Sequence, residues 1–78
     1  MPTILRWRGW RFFFFAGDEG EPPHVHVVKD DAEVKIWLED LTVAKEHGIN
    51  ARDLARILEK TGVERENFLE AWHELFQR

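Results

Sequence analysis

The sequence predicts an α+β fold: an antiparallel sheet of four or five strands over residues 3–45, one face covered by one or two C-terminal helices, at about 50–60 and 64–77. Three observations carry this. Short β-prone runs separated by turn residues fill the first half of the chain. Beyond Gly48 the apolar spacing changes from alternation to a helical period. Six Phe and four Trp give a short chain much apolar area to bury, at roughly 150–250 Å² for each ring.

The elements follow in order. Thr3–Trp7 is a β-prone run that ends at Arg8-Gly9, where a tight hairpin turn needs positive φ. Trp10–Ala16 is the second strand, rich in aromatic residues. Gly17 to Pro23 is a loop, because its two prolines forbid a continuing ladder. His24–Lys29 and Glu33–Leu38 are strands joined by Asp30-Asp31-Ala32, and Leu41–Lys45 reads as a short fifth strand. Asn50 is an N-cap with Asp53 three residues on, and Leu54, Ile57 and Leu58 make one apolar stripe. Thr61-Gly62-Val63 weakens that helix. Phe68, Leu69, Trp72, Leu75 and Phe76 form a second stripe, opposite Glu66, Glu70 and Glu74.

Composition removes several functional classes. A chain of 78 residues allows one domain, 1–78, and no separate cofactor module. With no cysteine, disulfides, thiolate catalysis and Cys-based zinc sites are excluded, and with no serine, so is serine hydrolase chemistry. Arg6, Arg8 and Arg11 interrupt the N-terminal apolar stretch, so no signal peptide is expected. The longest apolar run, Phe12 to Ala16, is far short of the ~20 residues that span a bilayer. A cytoplasmic protein with no membrane partner is expected. The net charge of -4 opposes non-specific nucleic-acid binding by the whole surface, but residues 1–17 hold three Arg and no acid. So short a chain gains little surplus of burial over chain entropy, which makes a homodimer or a protein partner an expectation.

Alternation divides the strands between two faces. Val25 and Val27 join Val34 and Ile36 under the helices, the wholly apolar choice. The other face collects His24, His26, Lys35 and Trp37, together with Arg11, Phe13 and Phe15, since arginine is rarely buried unpaired. A helix-free face of cations and rings is expected to bind something. It fits a ligand or RNA surface, and it fits equally a second small core or a dimer seam.

Glu21-Pro22-Pro23-His24-Val25-His26 is the most chemically suggestive stretch, because its two imidazoles project to the same side. Three readings compete. With Glu21, His24 and His26 offer the two imidazoles and one carboxylate of many metal centres. As a metal-independent ribonuclease, His24 and His26 serve as general base and acid, Arg11 and Lys35 bind phosphate, and Trp37 with Phe13 provides an aromatic platform for a base. As structure, the rings hydrogen-bond their neighbours and hold the loop. No cofactor is called for by any motif; the metal reading stands only as the alternative. His47 reads as a turn residue and His73 as the edge of the last helical stripe.

Met-Pro-Thr-Ile, Gly9-Trp10-Arg11-Phe12-Phe13-Phe14, Glu21-Pro22-Pro23-His24-Val25-His26-Val27, Lys35-Ile36-Trp37-Leu38-Glu39 and Leu69-Glu70-Ala71-Trp72 occur in that order over nearly the whole chain. Together they resemble the small bacterial family called domain of unknown function 4160. The resemblance implies a cytoplasmic protein that is the toxin-like half of a type II toxin–antitoxin pair, with a small cognate protein as partner. It brings no catalytic residues with it. An antitoxin-like or dimerising module is the alternative.

Overall fold

The computed structural model describes residues 3–76, so Met1, Pro2 and the end of the expected second helix at Gln77 lie outside the described residues. Five strands form one antiparallel meander in chain order: β1 (Thr3–Trp7), β2 (Trp10–Phe13), β3 (His24–Lys29), β4 (Ala32–Trp37) and β5 (Val43–His47). Two helices follow, α1 (Ala51–Val63) and α2 (Arg65–Leu75). The α+β class stands, with five strands and two helices.

Each link has a local cause. The β1–β2 hairpin turns at Arg8 and Gly9, with φ of +52° and +85°, and positive φ at both central residues matches the right-handed twist of the strands. Asn50 caps α1 by accepting the Asp53 N–H at 2.8 Å. The expected interruption at Thr61-Gly62-Val63 does not occur there: α1 runs through all three, and the break falls at Glu64. Gly62 serves packing, because a Cβ at that position would stand 3.3 Å from Leu41 Cδ1. The fifth strand begins at Val43 rather than Leu41, since Leu41 has φ +60° and its N–H donates to the Trp37 carbonyl at 2.9 Å.

The helix-side core holds Trp10, Phe12, Phe14, Val25, Val27, Val34, Ile36 and Leu38 from the sheet, against Ile57, Phe68 and Trp72 from the helices. Register fixes both faces at once. Phe12 pairs with Val27 across β2 and β3, so Phe13 pairs with His26, and His26 in turn faces Lys35 on β4. Arg65 of α2 ties the helices to the β4–β5 turn, its Nε donating to the Leu38 carbonyl at 2.6 Å and its Nη2 to the Glu39 carbonyl at 3.2 Å.

Candidate functional site

The expected face assembles as one continuous strip. The Arg11 guanidinium lies over the Phe13 ring, 4.4 Å from its centre. Phe13 stacks on His26 at 5.4 Å. His26 meets His24 edge-on at 4.9 Å, and His24 meets Trp37 edge-on at 5.3 Å. Lys35 Nζ lies 4.7 Å above the Trp37 ring. Phe15 stands edge-on to His26 at 4.6 Å. Among the described residues Arg11 has no carboxylate partner, and its Nε is buried without a hydrogen bond.

Two features differ from the sequence reading. The first is exposure: the face is closed at its centre, with His24 0% and His26 8% exposed. Nor is it wholly clear of the helices. His24 opens β3 at the sheet's end, where Trp72 of α2 comes within 5.2 Å of its ring. The second is the carboxylate. Glu21 accepts a hydrogen bond from Lys35 at 2.7 Å and lies 3.9 Å from His24 Nδ1, while that nitrogen donates to the Pro22 carbonyl at 2.9 Å. The carboxylate that reaches both rings is Asp18, whose Oδ2 is 3.1 Å from Nε2 of His24 and 3.1 Å from Nε2 of His26.

Asp18 reaches them because the loop is not irregular. Ala16–Gly20 winds into a 3₁₀ turn that folds back over the sheet. The Asp18 N–H donates to the Phe15 carbonyl at 3.1 Å, and Asp18 Oδ2 accepts the Phe15 N–H at 2.9 Å. That reciprocal pair ends β2 at Phe13, short of the expected Ala16, by taking the Phe15 N–H from the ladder. A short carboxylate just beyond the aromatic run was the available signal, since Asp is a side chain that bonds nearby backbone in turns.

The electrostatics follow from this enclosure. Burial pushes the His26 imidazole below its ordinary value, and the Asp18 carboxylate pulls less strongly the other way. At neutral pH the ring is therefore uncharged, and its N–H donates to Asp18. Glu21 is held below the usual carboxylate range by the hydrogen bond from Lys35. The two His24 contacts are not alike. Its Nδ1 is satisfied, whereas its Nε2 is buried and makes no hydrogen bond despite lying close to Asp18.

Asp18, His24 and His26 are also the one trio of ligand-bearing side chains gathered in this way among the described residues, with ligand atoms all within 4.8 Å of one another. His47 is exposed beyond this group, as is His73, which lines an open cleft with Glu19, Glu70 and Trp72. No helix of the described residues is long and apolar enough to cross a membrane.

Comparison with curated proteins and with solved structures finds no match. The family model described as a domain of unknown function, DUF4160, matches residues 9–73, a span that holds the Arg11 strip, the 3₁₀ turn, both histidines and nearly all of the two helices. The chain belongs to the DUF4160 family.

Proposed function

We propose that the chain is a toxin-like component of a bacterial, cytoplasmic toxin–antitoxin module that acts on RNA through the histidine face. One observation supports this above the others: a single sheet face carries Arg11, His26, Lys35 and Trp37, while the opposite face is packed by helices. Arg11 supplies a cation without a carboxylate partner among the described residues, suited to a phosphate. Trp37 is half-buried beside Lys35 and offers an aromatic ring for a base to stack on. Lys35 shares its charge with Glu21 and contributes to phosphate only by exchanging partners. Of the two imidazoles His26 alone keeps a little exposure, whereas His24 is fully buried.

The test is induced expression in a bacterial host with growth and total RNA followed together. Wild type is expected to arrest growth and alter RNA, and Arg11→Ala/Trp37→Ala to do neither at equal protein level. Arrest that survives the double variant, or wild type with no effect on growth or RNA, contradicts the proposal.

A second reading is favoured by Phe15, which is 37% exposed at the rim of the same face. In it the strip is the seat of a cognate protein or a second copy, and no chemistry occurs there. Light scattering on purified protein separates the two: a monomer with a free face argues against self-association.

A further inference from the structure

We infer that Asp18, His24 and His26 form a binding site for one divalent transition-metal ion of the Zn²⁺ or Fe²⁺ class. The inference does not rest on the RNA reading: a chain that binds metal but no RNA keeps this site and loses that function.

The distances come first. An ion bound at about 2.0–2.1 Å in tetrahedral geometry holds its ligand atoms about 3.3 Å apart. Asp18 Oδ2 already stands 3.1 Å from each of the two Nε2 atoms. The trio's ligand atoms span up to 4.8 Å, so the two imidazoles draw toward each other to admit an ion among them.

The second point is the orphaned nitrogen. His24 Nδ1 faces the Pro22 carbonyl, which only accepts, so Nδ1 carries a proton, and in the singly protonated tautomer that this fixes Nε2 is a lone pair. That lone-pair atom is fully buried, has no hydrogen-bond partner, and sits beside a carboxylate oxygen that is itself an acceptor. Two acceptors in buried contact repel, and an unsatisfied buried polar atom costs about 1–3 kcal/mol. A cation removes both penalties. A shared ion lies off the line joining its ligands, which accords with a close His24–Asp18 contact that lacks hydrogen-bond alignment.

Outer contacts resemble those that orient metal ligands elsewhere. The His24 Nδ1–H to carbonyl bond fixes that ring's tautomer, and the Phe15 N–H fixes the Asp18 carboxylate. His26 donates Nε2–H to Asp18 in the ion-free state, so binding through Nε2 moves that proton to Nδ1 of the same ring. Lys35, opposite His26 on β4, is a cation that opposes an ion here, and Glu21 offsets it at 2.7 Å. Two imidazoles and one carboxylate select transition ions over Ca²⁺ and Mg²⁺, which prefer oxygen. Three protein ligands leave a position for water or substrate, and an ion there would supply Lewis acidity or an activated water.

The experiment uses full-length protein purified without a histidine tag and stripped with chelator. Titration with Co²⁺ is followed by its ligand-field absorption, and the bound ion is then displaced with Zn²⁺. One Co²⁺ per chain with a tetrahedral spectrum is expected. Asp18→Asn should weaken binding by about tenfold or more, while His47→Gln/His73→Gln leaves it unchanged. Absence of the band, an unchanged Co²⁺ affinity in Asp18→Asn, or loss of the band in His47→Gln/His73→Gln overturns the site. Should Asp18→Asn unfold, Zn²⁺ titration of the wild type followed by imidazole NMR decides instead: saturable shifts at His24 and His26 support the site, and shifts confined to His47 or His73 refute it.

Discussion

Asp18 Oδ2 stands 3.1 Å from His26 Nε2, and this bond across eight residues joins the 3₁₀ turn to the middle of the sheet. The same oxygen accepts the Phe15 N–H, so one atom both closes the turn and covers the histidine face.

Replacing Asp18 with Ala therefore removes an acceptor from two donors together. The expected loss is about 1–3 kcal/mol of unfolding free energy, from the buried donors left unpaired. Urea denaturation of Asp18→Ala against wild type measures it, and the amides of Phe15 and of position 18 should lose hydrogen-exchange protection before the strands do. An unchanged midpoint would mean that the turn is held by something other than this carboxylate.

Arg65 predicts a second, distant weakness. Its Nε and Nη2 satisfy the Leu38 and Glu39 carbonyls, and Leu38 is fully buried. Arg65→Lys cannot reproduce the forked donation. A loss of about 1–3 kcal/mol is expected, with faster exchange at Leu41 and Thr42, and thermal unfolding with site-resolved exchange reads both.

Glu64 links acid sensitivity to the joint between the helices. Asn67 donates to it at 3.0 Å and Lys60 pairs with it at 3.0 Å, and these contacts hold its carboxyl below the usual carboxylate value when folded. A carboxylate with a depressed folded value stabilises fully above its unfolded value, and the contribution is lost as pH falls through the folded one. Glu64→Gln should therefore be less stable than wild type at pH 7, by about 1 kcal/mol or less for a solvent-accessible pair. The gap should close as pH drops below about 4.5. Chemical denaturation of both proteins across that range checks the sign.

Much of this architecture was legible because period-two alternation is stiff. Once Val25 and Val27 are assigned to the core, pairing obliges Phe13 and His26 to share the other face, and they do. What alternation cannot reveal is what lies over a face. Asp18 sits in a glycine-flanked loop with no periodic signal, and its position depends on a turn closed by its own side chain. Glu21 is nearer to the histidines in sequence, yet Lys35 across the sheet holds it, a contact set by register. The burial of His24 likewise depends on Trp72, which arrives from a helix nearly fifty residues later. Gly62 shows the converse error: a residue that weakens an isolated helix is kept here for its close approach to Leu41.

The arrangement of the two rings is tested most directly by the ¹⁵N shifts of the imidazole nitrogens in metal-free protein at about pH 8, above the ordinary imidazole value. The account predicts opposite tautomers: His24 protonated on Nδ1, with Nε2 a bare nitrogen beside Asp18, and His26 protonated on Nε2. A proton found on His24 Nε2, or rapid averaging of both tautomers in either ring, would contradict it.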